Sequence, residues 1–248
     1  MRFALGLAYK GTAYSGWQKQ NNAPTVQEEV EKALSIRLGT DIAVTGCCRT
    51  DAGVHAADYV LHFDYEQSFD DSFLYNINNI LPKDIAVKKI YVVKDDFHAR
   101  FDATSRSYVY KIHSRKNPFR EGLSFYFPAI EKADMELIQH TAGIIAGYNE
   151  FFPFCKAHTD VKTMKCDIRE SFWKFDKDKG EYRFHITSDR FLRGMVRLIV
   201  GALLNIGLGK MDVDELKDAM QKQRRMKLNW SVPAHGLYLN KIDYLTLD

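Results

Sequence analysis

An alternation of apolar and polar positions opens the chain and predicts a β-strand. In RFALGLAY, large apolar side chains recur at every second position from Phe3 to Tyr9, which is the period of a half-buried strand. TVQEEVEKALSIRL then carries apolar residues at helical spacing, with Thr25 and Glu28 placed as a capping box. The chain is therefore predicted to begin as a strand followed by a helix.

Three further strands and a helix are predicted before residue 94. IAVTG and ADYVLHF are short β-rich runs on either side of the turn RTDAG. DDSFLYNINNILP places Phe73, Ile77 and Ile80 on one helical face and ends at Pro82, after which IAVKKIYVV predicts a strand. The order β-α-β-β-α-β is that of the split βαβ or ferredoxin-like unit.

The second half of the chain predicts the same order of elements. SYVYKIH reads as a strand, DMELIQHTAGIIAG as a helix, and IRESFWKFD with EYRFHIT as a hairpin around KDKG. The apolar run from Phe191 predicts a helix and GLYLNKIDYL a closing strand, preceded by an extra helix with Asp212 and Glu215 as its cap pair. The expected fold class is α+β, with ferredoxin-like halves at residues 1–103 and 104–248 and a cleft between them.

Composition is consistent with a globular cytoplasmic protein. Of 248 residues, 46% are hydrophobic and six are proline. The first twenty residues contain no apolar run, and Arg193 and Arg197 interrupt the longest one, so neither a secretory signal nor a membrane span is expected. The four cysteines lack zinc-ligand spacing and are expected to be reduced thiols. A net charge of +3 permits a nucleic-acid partner without requiring one.

The turn RTDAG presents a candidate catalytic carboxylate, Asp51. It lies in a loop between two predicted strands, and Gly46 and Gly53 allow backbone angles that other residues avoid. Arg49, two residues away, is expected to hold the carboxylate in its ionised form, which suits a nucleophile or an electrostatic stabiliser. The simpler alternative is an Asx-turn with a surface ion pair.

Arginines in the second half offer a partner for that carboxylate. Arg190, Arg193 and Arg197 are spaced three and four apart, so they are predicted to share one face of an apolar helix, with Arg197 largely buried. A buried guanidinium needs an anion, and Asp51 is a candidate across the cleft. Exposure of all three side chains to solvent is the alternative, favoured for Arg190.

Aromatic and basic residues alternate around the strand that opens the second half. Tyr108 and Tyr110 share one face of this strand and follow FHARFDATSR, an arrangement that suits stacking on bases and binding of phosphates. Core packing with a solvated basic edge is equally compatible with these residues. The basic residues expected to contact RNA are Arg100, Arg106, Lys111 and Arg193.

The absence of characteristic motifs argues against several common functional classes. His55 and His62 have no cysteine or glutamate at a recognisable metal-ligand spacing, so structural roles are favoured over metal binding. The sequence contains no Walker loop, GxGxxG or GxSxG, which removes the usual nucleotide, dinucleotide-cofactor and serine-hydrolase readings.

The stretch GCCRTDAGVHA closely resembles the active-site motif of pseudouridine synthases, in particular the TruA-type transfer-RNA branch. Six further segments match in register along nearly the whole chain. They are GTAYSGWQKQ, TVQEEVEKAL, NINNILPKDIAV, FHARFDATSRSYVYKI, FLRGMVRLIVGALLNIGLGK and PAHGLYLNKIDY. The whole set in order is far more specific than any one segment.

The resemblance implies a fold, a reaction and a set of roles. The fold is a pair of ferredoxin-like, RRM-like halves forming a mixed, mainly antiparallel sheet. The reaction is the isomerisation of uridine to pseudouridine at positions 38, 39 and 40 of the tRNA anticodon stem-loop, with no cofactor and no metal. Asp51 would be the catalytic aspartate, Arg49 and Arg197 its cationic neighbours, and Tyr108 the aromatic beneath the target base. A homodimer would cradle one tRNA.

Two positions depart from the family pattern. Cys48 occupies a place that is usually glycine, so a positive φ there would imply strain. Lys10 stands where an aspartate is usual, and no role is transferred to it. Two other functional classes remain open at this stage, namely a catalytically silent RNA-binding or tRNA-folding module on the same scaffold and a metal-dependent hydrolase using Asp51 and the histidines.

Overall fold

The computed structural model describes residues 1–156, 162–245 and 247. Their contacts group the chain into two compact units, Met1–Thr104 with Leu239–Asp248 and Ser105–Tyr238. The first unit thus includes most of the last strand, although the repeated element order assigns that strand to the second half. Within the described residues, no helix combines the length and the apolar character needed to cross a bilayer.

The first unit follows the predicted order of elements. Its elements are β1 (Arg2–Tyr9), α1 (Val26–Leu38), β2 (Thr45–Gly46), β3 (His55–Asp64), α2 (Phe73–Ile80) and β4 (Ile85–Val93), with part of β9 (Leu237–Tyr244). The strands lie in the order β4-β1-β3-β9, and β2 pairs with β3. The pairs β1–β3, β1–β4 and β2–β3 are all antiparallel. The predicted β-α-β-β-α-β order is therefore confirmed in this unit.

Two local predictions in the first unit were only partly right. The central strand β1 is buried on both faces rather than one, since Ala4 is as fully buried as Leu5. The predicted strand IAVTG shrinks to the two residues of β2, because side chains of α1 bind the backbone just before it. The Ser35 hydroxyl accepts from the Ile42 amide at 3.0 Å, and Glu31 accepts from the Val44 amide at 3.2 Å.

The second unit repeats the order as far as the closing strand, β9, most of which belongs to the first unit, and it adds β6 and α5. Its elements are β5 (Ala103–His113), β6 (Phe125–Tyr126), α3 (Met135–Ala146), β7 (Ile168–Asp176), β8 (Glu181–Ser188), α4 (Met195–Gly207) and α5 (Val213–Gln221). The strands lie in the order β5-β8-β7 with antiparallel pairing, and β6 pairs with β5 in parallel. The α+β class and the mixed, mainly antiparallel strand pairing are confirmed.

Helix boundaries show which sequence signals were decisive. Thr25 caps α1 as predicted, accepting a hydrogen bond from the Glu28 amide at 3.4 Å. Asp212 stands at the N-cap of α5 but makes no side-chain cap hydrogen bond, and the Glu215 carboxylate instead accepts from the Lys227 amide at 3.1 Å. The capping box predicted for α5 was therefore wrong, although the helix itself is present.

The predicted helix from Phe191 starts four residues later, and this changes the arginine pattern. Gly194 precedes α4 with a left-handed φ of 72°, which breaks the helical path. Arg190 and Arg193 consequently lie before the helix, and only Arg197 lies on it. The prediction that all three share one helical face was wrong. All twelve residues of α4 other than Arg197 are buried, so this helix forms the core of the second unit.

Candidate active site

Backbone hydrogen bonds fix the RTDAG loop of the first unit on both sides of Asp51. The Trp17 amide donates to the Thr50 carbonyl at 3.2 Å, and the Gly53 amide donates to the Tyr14 carbonyl at 3.2 Å. The loop therefore rests on the segment GTAYSGW that follows β1. Since both flanks of Asp51 are tied to a second loop, its carboxylate is presented from a fixed backbone rather than a mobile tip.

Two buried tyrosines add side-chain anchors to this loop. The Tyr9 hydroxyl lies 2.8 Å from the Thr50 hydroxyl, and the Tyr59 hydroxyl donates to the Cys48 carbonyl at 2.6 Å. Burial raises the pKa of both tyrosines well above the usual value, so both hydroxyls remain protonated at any ordinary pH. Hydrogen bonds from residues on β1 and β3 thus help to fix the loop.

Glycines shape the loop by two different means. Gly53 has a φ of 77° and Gly16, which packs against the loop, has a φ of 98°, so both occupy the left-handed region as a tight turn requires. Gly46 was predicted to serve in the same way, but its φ is not positive. Glycine is needed there for space, because a β-carbon would overlap the Tyr59 hydroxyl and the Trp17 indole.

Replacing Gly16 by alanine tests how far the loop depends on its support. A β-carbon at Gly16 would lie 2.5 Å from the Thr50 carbonyl oxygen, so Gly16→Ala is expected to lower the free energy of unfolding by about 2 to 4 kcal/mol through strain and overlap. The control is Gly39→Ala, where φ is 70° but nothing lies within 4 Å. It is expected to cost about 1 kcal/mol. Urea titration measures both, and equal losses would contradict the account.

The side chains of Asp51 and Arg49 are both reachable from solvent. Asp51 is half-buried and Arg49 is exposed. The Arg49 Nε donates to the Gln18 side-chain oxygen at 3.1 Å, which ties the guanidinium to the residue that follows the GTAYSGW segment. A carboxylate on a fixed backbone, partly shielded but open to a ligand, is the arrangement that covalent or electrostatic catalysis by an aspartate requires.

The two departures from the family pattern leave the loop intact. Among the described residues, Gln223 is the one non-glycine with a positive φ, so Cys48 adopts angles that a β-carbon tolerates. The four cysteines carry thiols and form no disulfide, as expected. Lys10 is exposed, and its amide donates to the Asp84 carbonyl at 2.8 Å.

The two histidines of β3 that were considered as metal ligands accept backbone hydrogen bonds. His55 Nδ1 accepts from the Gly11 amide at 3.0 Å, and His62 Nδ1 accepts from the Ala99 amide at 3.1 Å. Both rings are buried. Within the described parts of the chain, no cluster of three or more potential metal-ligating side chains occurs. These bonds give both histidines a structural role.

The second unit contains the predicted aromatic and helical arginine. Tyr108 is buried at 8% exposure, with the Phe191 ring edge-on to it at 5.1 Å between centroids. Tyr110 is fully buried, and its hydroxyl donates to the Pro233 carbonyl at 2.7 Å. Arg197 is half-buried, and its Nε donates to the Val232 carbonyl at 2.7 Å.

The four basic residues expected to contact RNA occupy different environments. Arg100 and Arg193 are exposed. Arg106 is buried, and one guanidinium nitrogen donates to the Asp189 carbonyl at 2.7 Å. Lys111 is half-buried with its ammonium 3.7 Å from the centre of the Tyr238 ring, and burial lowers its pKa. Exposure therefore makes Arg100 and Arg193 more accessible to a ligand than the other two.

Comparison with known proteins identifies the family. A protein of Porphyromonas gingivalis named tRNA pseudouridine synthase A is 44% identical over 98% of this chain and 97% of its own length. The chain belongs to the tRNA pseudouridine synthase A family. A relative of the same name from Dictyoglomus thermophilum is 38% identical over 98% of this chain and its whole length. The sequence model of the family described as tRNA pseudouridine synthase matches residues 145–245.

Sequence reasoning missed several residues that build the site in this member of the synthase family. Tyr9 was assigned to a strand face and Tyr59 to a β-rich run, but both prove to be anchors of the RTDAG loop. The only available signal was that Tyr9 ends a strand just before GTAYSGW. Gln18 and Phe101, which lie near Arg49, had no periodic pattern to mark them.

Burial of His62 predicts a pH effect on the stability of this synthase-family protein. Burial lowers the pKa of His62 to about 4, and the charges of Arg2 and His98 act in the same direction. The unfolded chain takes up this proton near pH 6.5, so stability is full at neutral pH and falls as the pH drops from about 6.5 towards 4. His62→Asn keeps an acceptor for the Ala99 amide and is expected to flatten this fall.

Urea unfolding at a series of pH values between 7 and 4 measures the effect. The matched control is His140→Asn, because His140 is exposed and its substitution should leave the profile of the original protein unchanged. The same slope in the original chain and in both variants would show that another group causes the fall.

Proposed function

We propose that this chain isomerises uridine to pseudouridine in the anticodon stem-loop of tRNA, at positions 38, 39 and 40. The observation that carries the proposal is Asp51, held on a fixed loop within a chain that matches relatives named tRNA pseudouridine synthase A over nearly its entire length. The RTDAGVHA motif supports the same reaction. Because tRNA is modified in the cytoplasm, we place the protein there.

The reaction requires a carboxylate with the properties of Asp51. The glycosidic bond at C1′ must break, and the base must rotate and rejoin the sugar through C5. A fixed anionic oxygen next to the ribose can serve this either by attacking C1′ or by accepting a sugar proton, provided that water is kept away from the cleaved base. The reaction is an isomerisation that neither gains nor loses atoms or electrons, so it calls for no redox cofactor.

Substrate binding is proposed for Tyr108, Arg49 and Arg197. The target uridine must leave its stack at a cost of about a few kcal/mol, and the Tyr108 ring would replace part of the lost stacking. Arg49 and Arg197 would hold charged or polar groups of the uridine nucleotide and its surroundings. Arg100, Arg106, Lys111 and Arg193 are proposed to contact the RNA, with the exposed Arg100 and Arg193 as the first to test.

Mapping of pseudouridine in a tRNA transcript tests the function directly. An unmodified transcript is incubated with the protein, treated with a carbodiimide that marks pseudouridine, and read by primer extension. Stops in the anticodon arm are expected, and they should persist in the presence of a chelator. A transcript without any new stop would reject the function, and activity lost on chelation would favour a metal-dependent enzyme.

The family resemblance also leads us to propose a homodimer that binds one tRNA. Sedimentation velocity with and without tRNA measures this, and a mass of two chains per tRNA is expected. One chain per tRNA at concentrations that support activity would reject the dimer while leaving the reaction itself in place.

A further inference from the structure

A cavity of about 230 Å³ lies in the first unit beside the RTDAG loop. It reaches the loop at Cys48 and Arg49, which precede Asp51 by three and two residues. The turn before β5 also lines it, through His98, Arg100 and Phe101. Gln18, which follows the GTAYSGW segment, and the strand β2 are also part of the lining. The cavity therefore adjoins the candidate catalytic loop.

The turn in this lining presents an exposed aromatic ring on a rigid backbone. Phe101 is 74% exposed. The Phe101 and Asp102 amides both donate to the His98 carbonyl, at 3.1 and 3.0 Å, and the His98 amide donates back to the Asp102 carboxylate at 2.8 Å. The His98 ring lies 4.2 Å from the Phe101 ring between centroids. Fixed in this way, the Phe101 ring offers a stacking surface that needs little reordering on binding.

Two cations accompany the aromatic ring. Arg49 and Arg100 are both exposed and both line the cavity. The hydrogen bond from Arg49 to Gln18 orients one guanidinium, while the guanidinium of Arg100 lies 5.8 Å from the centre of the Phe101 ring. An exposed aromatic face together with two guanidinium groups is the chemistry that binds a nucleotide, with the base on the ring and the phosphate on the arginines.

We propose that this cavity binds a nucleotide of the RNA substrate next to the uridine that reacts. The base stacks on Phe101, and its phosphate binds Arg49 and Arg100. The inference rests on the proposed function, because a reacting uridine must place its C1′ at Asp51, whereas the cavity meets that loop only at Cys48 and Arg49. Arg49 would then connect the two nucleotides, which gives the RTD sequence a second role in recognition.

Binding measurements without turnover test this subsite. In the Asp51→Asn background, Phe101→Ala is expected to weaken binding of an anticodon stem-loop RNA about 5- to 100-fold, the range lost when a stacking aromatic is removed. Phe101→Trp keeps a stacking ring and is expected to bind like the parent. The control is Tyr75→Ala, an aromatic of the same unit on α2 with 71% exposure, which should leave binding unchanged.

A series of RNAs that each lack one loop base identifies the nucleotide. At one position next to the modified uridine, removal of the base should weaken binding to the Asp51→Asn parent. The same removal should not further weaken binding to the variant that also carries Phe101→Ala. Additive losses at every position would overturn the subsite. Coupling to the modified uridine itself would overturn it too, since the cavity would then hold the target base. Because the readout is binding, it stays informative even if the original protein were to form no pseudouridine.

Discussion

Asp51→Asn is expected to abolish pseudouridine formation while leaving tRNA bound. The amide keeps the shape of the carboxylate but lacks the negative charge that either attack on C1′ or removal of a sugar proton requires, so the rate should fall at least about 1,000-fold. Affinity for tRNA should change only a few-fold, because RNA contacts are spread over many residues. Single-turnover carbodiimide mapping gives the rate, and filter binding gives the affinity.

The matched control for Asp51 is Asp41→Asn in the same unit. Asp41 is exposed and lies outside the RTDAG loop, so its variant should keep the original rate and affinity. Unfolding curves for both variants should match that of the original protein, since Asp51 is half-buried and the loop is held chiefly by backbone bonds. Rapid product formation by Asp51→Asn would remove Asp51 from the chemistry.

Tyr108→Ala is expected to give the second-largest loss, a fall of about 10- to 100-fold in kcat/KM. Stacking of one base on an aromatic side chain contributes about 1 to 3 kcal/mol, and alanine offers no surface in its place. The Phe191 ring, edge-on at 5.1 Å, supports the tyrosine ring and should hold a phenylalanine equally well. Tyr108→Phe is therefore expected to stay within about three-fold of the original protein, as initial rates on tRNA can show.

Tyr110→Phe is the control that distinguishes base stacking by Tyr108 from a general effect of packing on the same face of β5. It removes the hydrogen bond to the Pro233 carbonyl, so the free energy of unfolding should fall by about 1 kcal/mol with kcat/KM unchanged. If Tyr108→Phe lost as much activity as Tyr108→Ala, the hydroxyl and not the ring would be the working group.

The sequence predicted the fold well where local signals agreed with one another. The boundaries of β4 and β7 coincide with the predicted runs IAVKKIYVV and IRESFWKFD, and Thr25 caps α1 as expected. In these segments, periodicity, turn residues and caps all point to the same element. The position of Asp51 in a loop between strands was predictable for the same reason, because glycines bracket it.

What the sequence could not give depended on contacts between distant segments. The IAVTG run has the composition of a strand, but Ser35 and Glu31 of α1 take up its backbone amides. Arginine spacing suggested one helical face, whereas a single left-handed glycine moved the start of the helix past Arg193. Neither effect leaves a periodic signal, since each depends on a partner remote in sequence or on one backbone angle.

The route of strand β9 has a consequence for how the protein forms during synthesis. The first unit needs residues from Leu239 onward, where the Ile242 amide donates to Asp58 at 3.4 Å and the Tyr244 hydroxyl donates to the Ala99 carbonyl at 2.6 Å. The second unit is one continuous segment that leaves the ribosome earlier. The part of the chain made first, which contains Asp51, is therefore expected to complete its sheet last. A nascent chain stalled before β9 would hold Asp51 in an unfinished unit.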